Sequence, residues 1–273
     1  MRILVCFKIV NDLEYITPGE LLSLQEGLLD LSVFKKIIGS YDEAALETAL
    51  RLAENVRRQG LPVTIHALTA GNCEKRFIEN LLSLGFDDLF RIPVDTGILW
   101  QPELIADHIT AFVKDFGRYD VIVTGKQAGP GENGLIPRML SSKLGLACVP
   151  EVISLNWCSR GIKVTFRTDT GQASMTVTKP AVFAVGEAKY PWLRVPTLLE
   201  KITAKRKSAG SREPVNYLSA GFETNPASAQ FLRYVYTMPK RQCRMIEGKN
   251  SEEKFEILWS YLQREISPQA GGQ

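Results

Sequence analysis

The sequence predicts an α/β fold built on a parallel sheet covered on both faces, and three observations carry that expectation. Short apolar, β-rich runs alternate with helical segments from the first residues to about position 150. Sequential strands separated by helices imply right-handed crossovers. The runs end in polar or small residues, as strands do where an α/β sheet binds small molecules beyond its carboxyl ends.

Taken in order, Ile3 to Phe7 is too short for a helix and reads as a buried parallel strand whose end, Lys8 to Asp12, turns polar. From Asp42, DEAALETALRLAENVRRQG sets Ala45, Ala49, Leu52 and Val56 at helical spacing, with acids in the first turn and Gly60 as the stop. Pro62 to Leu68 gives a strand, Thr69, Ala70 and Gly71 a small-residue turn, and ENLLSLG a second helix. Leu89 to Val94 is a third strand, Pro102 to Phe116 a helix, and Tyr119 to Thr124 a fourth strand. Their exits, near Cys6, Ala70, Pro93 and Thr124, are expected along one rim.

After Pro150 the texture changes to VISLNWCSRGIKVTFRTDTGQASMTVTKPAVFAV, β-rich segments joined by Gly or Asp turns with no helix between them. An antiparallel addition over about 151–190 is expected. Lys205 to about Ser228 reads as a long polar arm, and Ser251 to Ile266 as an amphipathic helix with Phe255, Leu258, Trp259 and Leu262 on one face. The expected organisation is one domain over 1–204, followed by an arm and terminal helix over 205–273.

Composition narrows the function. Charged residues at 23% and hydrophobic ones at 45% fit a globular chain of 273 residues with a sizeable core. A net charge of +3, without a sustained basic stripe, argues against a nucleic-acid binder. The N-terminus lacks the long apolar core and cleavage site of a signal peptide, and no window reaches bilayer length. Cys6, Cys73, Cys148, Cys158 and Cys243 are scattered and form no C-x-x-C pair, so reduced thiols in a cytoplasmic protein are expected and neither a zinc site nor a disulfide scaffold is.

The stretch VIVTGKQAGPGENG, Val121 to Gly134, runs from a strand into a glycine-rich turn. It is not a Walker loop, because Lys126 precedes the glycines. Gly129, Gly131 and Gly134 match G-x-G-x-x-G in spacing, but no acidic residue ending a following strand supports a dinucleotide fingerprint. What the turn offers physically is converging backbone N–H groups, with the positive end of a helix beginning near Asn133. Such a loop holds a phosphate without hydrolysing it. For chemistry the inventory is poor: His66 lies in a strand, His108 on a helix without a suggestively spaced carboxylate, and Asp87 and Asp88 are adjacent. No catalytic residues and no metal ligands are assigned.

Five segments in order, MRILVCFKIVND, SYDEAALETALRL, TIHALTAG, DVIVTGKQAGPGENG and DTGQASMTVTKPAVFAVGEAKYPWLRVPTLLEKITAKRK, resemble the beta subunit of electron transfer flavoproteins. The resemblance covers about Met1 to Lys207. Its last segment is the most specific, with Pro180-Ala181-Val182, Lys189-Tyr190, Val195-Pro196 and the basic Lys201 to Lys207. It implies an adenine nucleotide alpha hydrolase-like sandwich, and a non-catalytic electron carrier that pairs with an alpha subunit and shares that subunit's FAD. The beta pocket would hold AMP, or FAD in electron-bifurcating members.

Carried over residue by residue, the resemblance implies a nucleotide site of Cys6 and Lys8, then Gly39, Ser40, Tyr41 and Asp42, then Ala70 and Gly71. The phosphates would fall to Thr124, Gly125, Lys126, Gln127, Ala128, Gly129, Gly131, Glu132, Asn133, Gly134, Leu135 and Ile136. This chain departs from the family pattern at Gly39-Ser40, where Asn-Pro is usual, and at Gly129 to Asn133, where an Asp-rich loop is usual. It also carries Phe166 and Arg167 where Arg then Glu is common, changing the charge offered to the alpha subunit, so a divergent paralogue is implied. Tyr190, Trp192, Leu193, Arg194 and Val195 are expected in an exposed loop between prolines that docks a donor dehydrogenase. The competing readings are an ATP-using enzyme of the same superfamily, disfavoured by the missing S-G-G-x-D-S loop, and a nucleotide-sensing module.

Overall fold

A computed structural model of the chain describes residues 1–12, 34–95, 97–129, 131–207, 215–217, 243 and 245–266. Most of the expected arm lies outside these residues, as does Pro130. Two compact units are present, one holding residues 1–24 and 30–233, the other 25–29 and 234–273.

Among the described residues, the first unit is organised around a sheet of nine strands: β1 (Arg2–Phe7), β4 (Thr64–Ala70), β5 (Asp88–Ile92), β6 (Val121–Gly125), β7 (Ala147–Cys158), β8 (Gly161–Thr168), β9 (Gly171–Val177), β10 (Ala181–Val185) and β11 (Val215–Asn216). Their order across the sheet is β11-β5-β4-β1-β6-β10-β7-β8-β9. A two-stranded antiparallel sheet joins β2 (Ile9–Asn11) to β3 (Lys36–Ile38). Strands β5, β4, β1 and β6 are mutually parallel, so the exits near Cys6, Ala70, Pro93 and Thr124 share one rim, as expected.

Helices lie on both faces. On one side α1 (Ser40–Arg58) and α2 (Lys75–Ser83) bury Leu46, Leu50, Leu52, Phe77 and Leu81 against Ile3, Val5, Ile65 and Val123. On the other α3 (Pro102–Asp115) and α4 (Ile136–Leu144) bury Ile109, Phe112 and Leu140 against Leu4, Leu68 and Ile122. Full burial of each such side chain contributes about 1.5–3 kcal/mol. Strands buried on both faces must be apolar on both, which is why Ile3 to Phe7 reads as an unbroken run.

The segment after Pro150 differs in part from the expectation. Strands β7, β8 and β9 form an antiparallel meander, but β10 returns to the middle of the sheet and pairs parallel to both β6 and β7. All five β10 residues are buried. Strand β7 runs through Pro150, and its register shifts next to Glu151, which has φ 50°. A proline in a central strand is tolerated at such a bulge because no ladder donor is needed there. The basic run Lys201 to Lys207 forms the end of α5 (Leu198–Lys207).

In the second unit, α6 (Ser251–Ile266) exposes Phe255, Leu258, Trp259 and Leu262, and the rings of Phe255 and Trp259 stack 6.1 Å apart.

Candidate functional site

A cavity of about 170 Å³ opens at the carboxyl ends of β1, β4 and β6. Its floor is built by Asp42 in the first turn of α1. This side chain is buried, and its two oxygens accept hydrogen bonds from the backbone N–H of Lys8 at 2.9 Å and of Gly125 at 3.0 Å. One carboxylate therefore ties two strand exits to a helix start. Gly125 is required by this approach, since a Cβ there would stand 2.5 Å from the Asp42 carboxylate. Burial raises the Asp42 carboxyl to about 7, against the opposing pull of the two N–H bonds and the Lys8 charge.

Beyond Gly125 the chain enters the glycine-rich turn. Gly131 has φ 109° and Gly134 φ 60°, and between them Glu132 sits at φ 40°. Glu132 N–H donates to the Ala128 carbonyl, and the Asn133 side chain accepts from Leu135 N–H at 3.2 Å. Helix α4 then starts at Ile136, three residues later than expected, with Pro137 in its first turn. Lys126 pairs with Glu151 at 3.3 Å and lies over the Tyr41 ring at 4.8 Å. Burial draws its ammonium down, but Glu151 and Tyr41 outweigh that and hold it above the usual lysine range. Lys8 lies over the indole of Trp100 at 5.6 Å, and burial lowers its ammonium despite the charge of Asp42.

Of the sequence-predicted residues, Cys6, Lys8, Asp42, Ala70, Thr124, Gly125, Lys126, Gln127, Ala128, Gly131, Asn133, Gly134, Leu135 and Ile136 line the cavity. Gly39, Ser40, Tyr41, Gly71, Gly129 and Glu132 do not. Gly39 donates its N–H to the Lys8 carbonyl, and Gly71 donates to the Ile92 carbonyl, packing its Cα side against Leu99. The remaining wall was not anticipated: Phe7, Leu68, Thr69, Leu99, Trp100, Pro102, Ile105, Ile109 and Pro137. Leu99 and Trp100 come from a short 3-10 turn, Ile98–Trp100, ahead of α3. The helical spacing of Ile105 and Ile109 could have flagged part of it.

Outside the cavity, His66 Nδ1 lies 2.8 Å from the Tyr119 hydroxyl within the core, where burial lowers the imidazole and raises the phenol to about 12. Burial and then the Asp42 charge push the Cys6 thiol up, away from nucleophilic character. Among the described residues no group of His, Cys, Asp and Glu could hold a metal ion.

The loop after β10 exposes Tyr190, Trp192 and Val195, with Trp192 69% and Val195 80% exposed. Leu193 instead packs against the core. Arg194 forks onto Glu47, itself 1% exposed, with Nε and Nη2 at 2.8–3.1 Å, and reaches Glu54. Burial pushes the Glu47 carboxyl up, but Arg194 outweighs it and holds it below the usual range. Arg167 pairs with Glu187 at 2.6 Å.

The family model of the electron transfer flavoprotein domain matches residues 34–214. The chain belongs to this family. It is 28% identical to the "Putative electron transfer flavoprotein subunit YgcR" of Escherichia coli (strain K12), over 98% of this chain and 100% of that protein. It is 25% identical to an electron transfer flavoprotein subunit beta of Syntrophomonas wolfei, over 84% and 88% of the two chains. Protein FixA of Azorhizobium caulinodans is 27% identical, over 69% and 66%. Among the described residues no helix is long and apolar enough to cross a membrane.

Proposed function

We propose that the chain is the beta subunit of an electron transfer flavoprotein: a non-catalytic subunit that holds an adenine nucleotide, AMP or FAD, and pairs with an FAD-carrying alpha subunit to pass electrons from dehydrogenases in the cytoplasm. The observation that carries the nucleotide part is the cavity itself, where an apolar compartment and a glycine-rich backbone turn meet at three parallel strand exits. A flat base suits the first and a phosphate the second. FAD, when bound with the alpha subunit, supplies the redox chemistry. This chain's own residues bind and orient: Gln127, Ala128, Gly131, Asn133 and Gly134 of the turn offer backbone donors, Lys8 and Lys126 offer positive charge, and Asp42 fixes the strand exits that carry them.

Extraction of the purified complex and identification of its released nucleotides is the direct test. Gly131→Val is expected to abolish occupancy. A Cβ at Gly131 would meet no protein atom within 4 Å, so the effect comes from φ 109°, which forces a valine-bearing turn out of shape. Full occupancy in that variant would remove the turn from the site. An adenylating or ATP-hydrolysing enzyme is the other reading, but Asp42, the acidic side chain among the described cavity-lining residues, is already committed to the N–H groups of Lys8 and Gly125.

A further inference from the structure

The Thr124 hydroxyl is buried, with the residue 3% exposed, lines the cavity, and has no hydrogen-bond partner in the protein. Native proteins rarely leave such a group unsatisfied, because its desolvation is then uncompensated. Thr69 shares these properties, and the register separates the two. Leu68, Cys6 and Thr124 are in register across β4, β1 and β6, so all three side chains rise from one face of the sheet. This is the face that packs against Ile105, Ile109 and Ile136. Thr69 is in register with Phe7 and points the opposite way. The Thr124 hydroxyl is therefore an unpaired polar point beside the apolar walls made by Ile105, Ile109 and Ile136, with Trp100, over which Lys8 lies, also lining the cavity.

We propose that Thr124 is a specificity-determining residue that reads the nucleobase of the bound nucleotide, hydrogen-bonding one polar atom of a base lodged in this compartment, rather than contacting the phosphate. The inference rests on the nucleotide reading of the cavity. A flat aromatic base fits walls of isoleucine and tryptophan, whereas a phosphate or sugar would leave several polar atoms unpaired there. A hydroxyl both donates and accepts, so it can complete either a ring nitrogen or an exocyclic amine. The phosphate end would then lie toward Gly131 to Gly134, consistent with Thr124 preceding the turn in sequence.

The test is titration of the full chain, freed of nucleotide, with AMP, FAD and ribose 5-phosphate, the last carrying the phosphate and sugar without a base. Thr124→Val removes the hydroxyl at nearly constant shape, with Thr124→Ala as the second variant should valine disturb folding. Expected is a loss of roughly tenfold in affinity for AMP or FAD with ribose 5-phosphate unchanged. Thr124→Ser restores binding. The nucleotide-free melting temperature of the valine variant stays level or rises, because no protein hydrogen bond is lost. Base-bearing ligands held as tightly by the valine and alanine variants as by the parent, or an equal loss for ribose 5-phosphate, would overturn the proposal while leaving the nucleotide site standing. A parent chain that binds neither AMP nor FAD would overturn both.

Discussion

Asp42 holds the two central strand exits with a single side chain, and its environment sets a definite pH response. In the unfolded chain its carboxyl titrates near 3.8, and in the folded one burial raises it to about 7. Between those values the folded state binds more protons than the unfolded state. This contribution is therefore fully present below the unfolded value and is lost as pH rises towards 7, by at most about 1.4 kcal/mol per pH unit. Glu47 works in the opposite sense, since Arg194 holds its carboxyl down and its contribution is lost in acid. Comparison with Asp42→Asn isolates the first effect. The amide keeps one acceptor but turns its NH₂ toward the other N–H, so a loss of roughly 1–3 kcal/mol is expected at acid pH. Urea midpoints should fall less in the variant than in the parent between about pH 4.5 and pH 7. Parallel profiles would mean that Asp42 does not titrate in this window.

At the scale of elements, the loop after β10 combines a fixed base with an exposed tip. Arg194 clamps the loop to α1 through buried Glu47, and Leu193 packs inward, leaving Trp192 and Val195 to project. Leu198 and Leu199 at the start of α5 add to the exposed apolar area, 75% and 73% exposed. A rigid loop presenting an aromatic tip loses little entropy on docking, and truncating such an anchor typically costs ~2 kcal/mol or more. Trp192→Ala with Val195→Ala is expected to slow electron transfer from a cognate donor at limiting flavoprotein while sparing nucleotide content, and unchanged kinetics would move the docking site elsewhere. Sequence composition foretold the exposed Trp192 but not the roles of Leu193 and Arg194, because the partners of Arg194 lie 147 and 140 residues away on α1 and Leu193 packs against a core assembled from strands and helices distant in sequence. The same nonlocality hid β10. Its AVFAV run has the unbroken apolar character that marked Ile3 to Phe7 as a buried strand, yet its short connections suggested one more antiparallel turn. Local signals were enough for α1, β6 and the glycine turn, whose spacing and strand exits are written in consecutive residues. The Leu99 and Trp100 wall comes from a three-residue turn with no periodicity to read.

For the whole molecule, the nucleotide is proposed as part of the fold rather than as a substrate. The cavity joins β1, β4, β6, α1, α3 and α4, so a ligand there touches elements from both helical layers and binds the folded state alone. Mass action then stabilises that state by about 2.7 kcal/mol at a ligand concentration of 100 Kd. For a domain of this size such a gain corresponds to a melting-temperature rise of roughly 5–10 °C. The rise should be produced by AMP or FAD and vanish in Gly131→Val. ATP with magnesium is the discriminating addition, because an enzyme would consume the bound nucleotide and a carrier subunit would only hold it. Cys6 is held as a thiol, His66 is spent on Tyr119 in the core, and the Asp42 carboxyl already accepts from the N–H groups of Lys8 and Gly125. We therefore expect ATP to be recovered intact after incubation and repurification. Turnover that persists through repurification and disappears when Lys126 is replaced would instead make the chain an ATP-using enzyme.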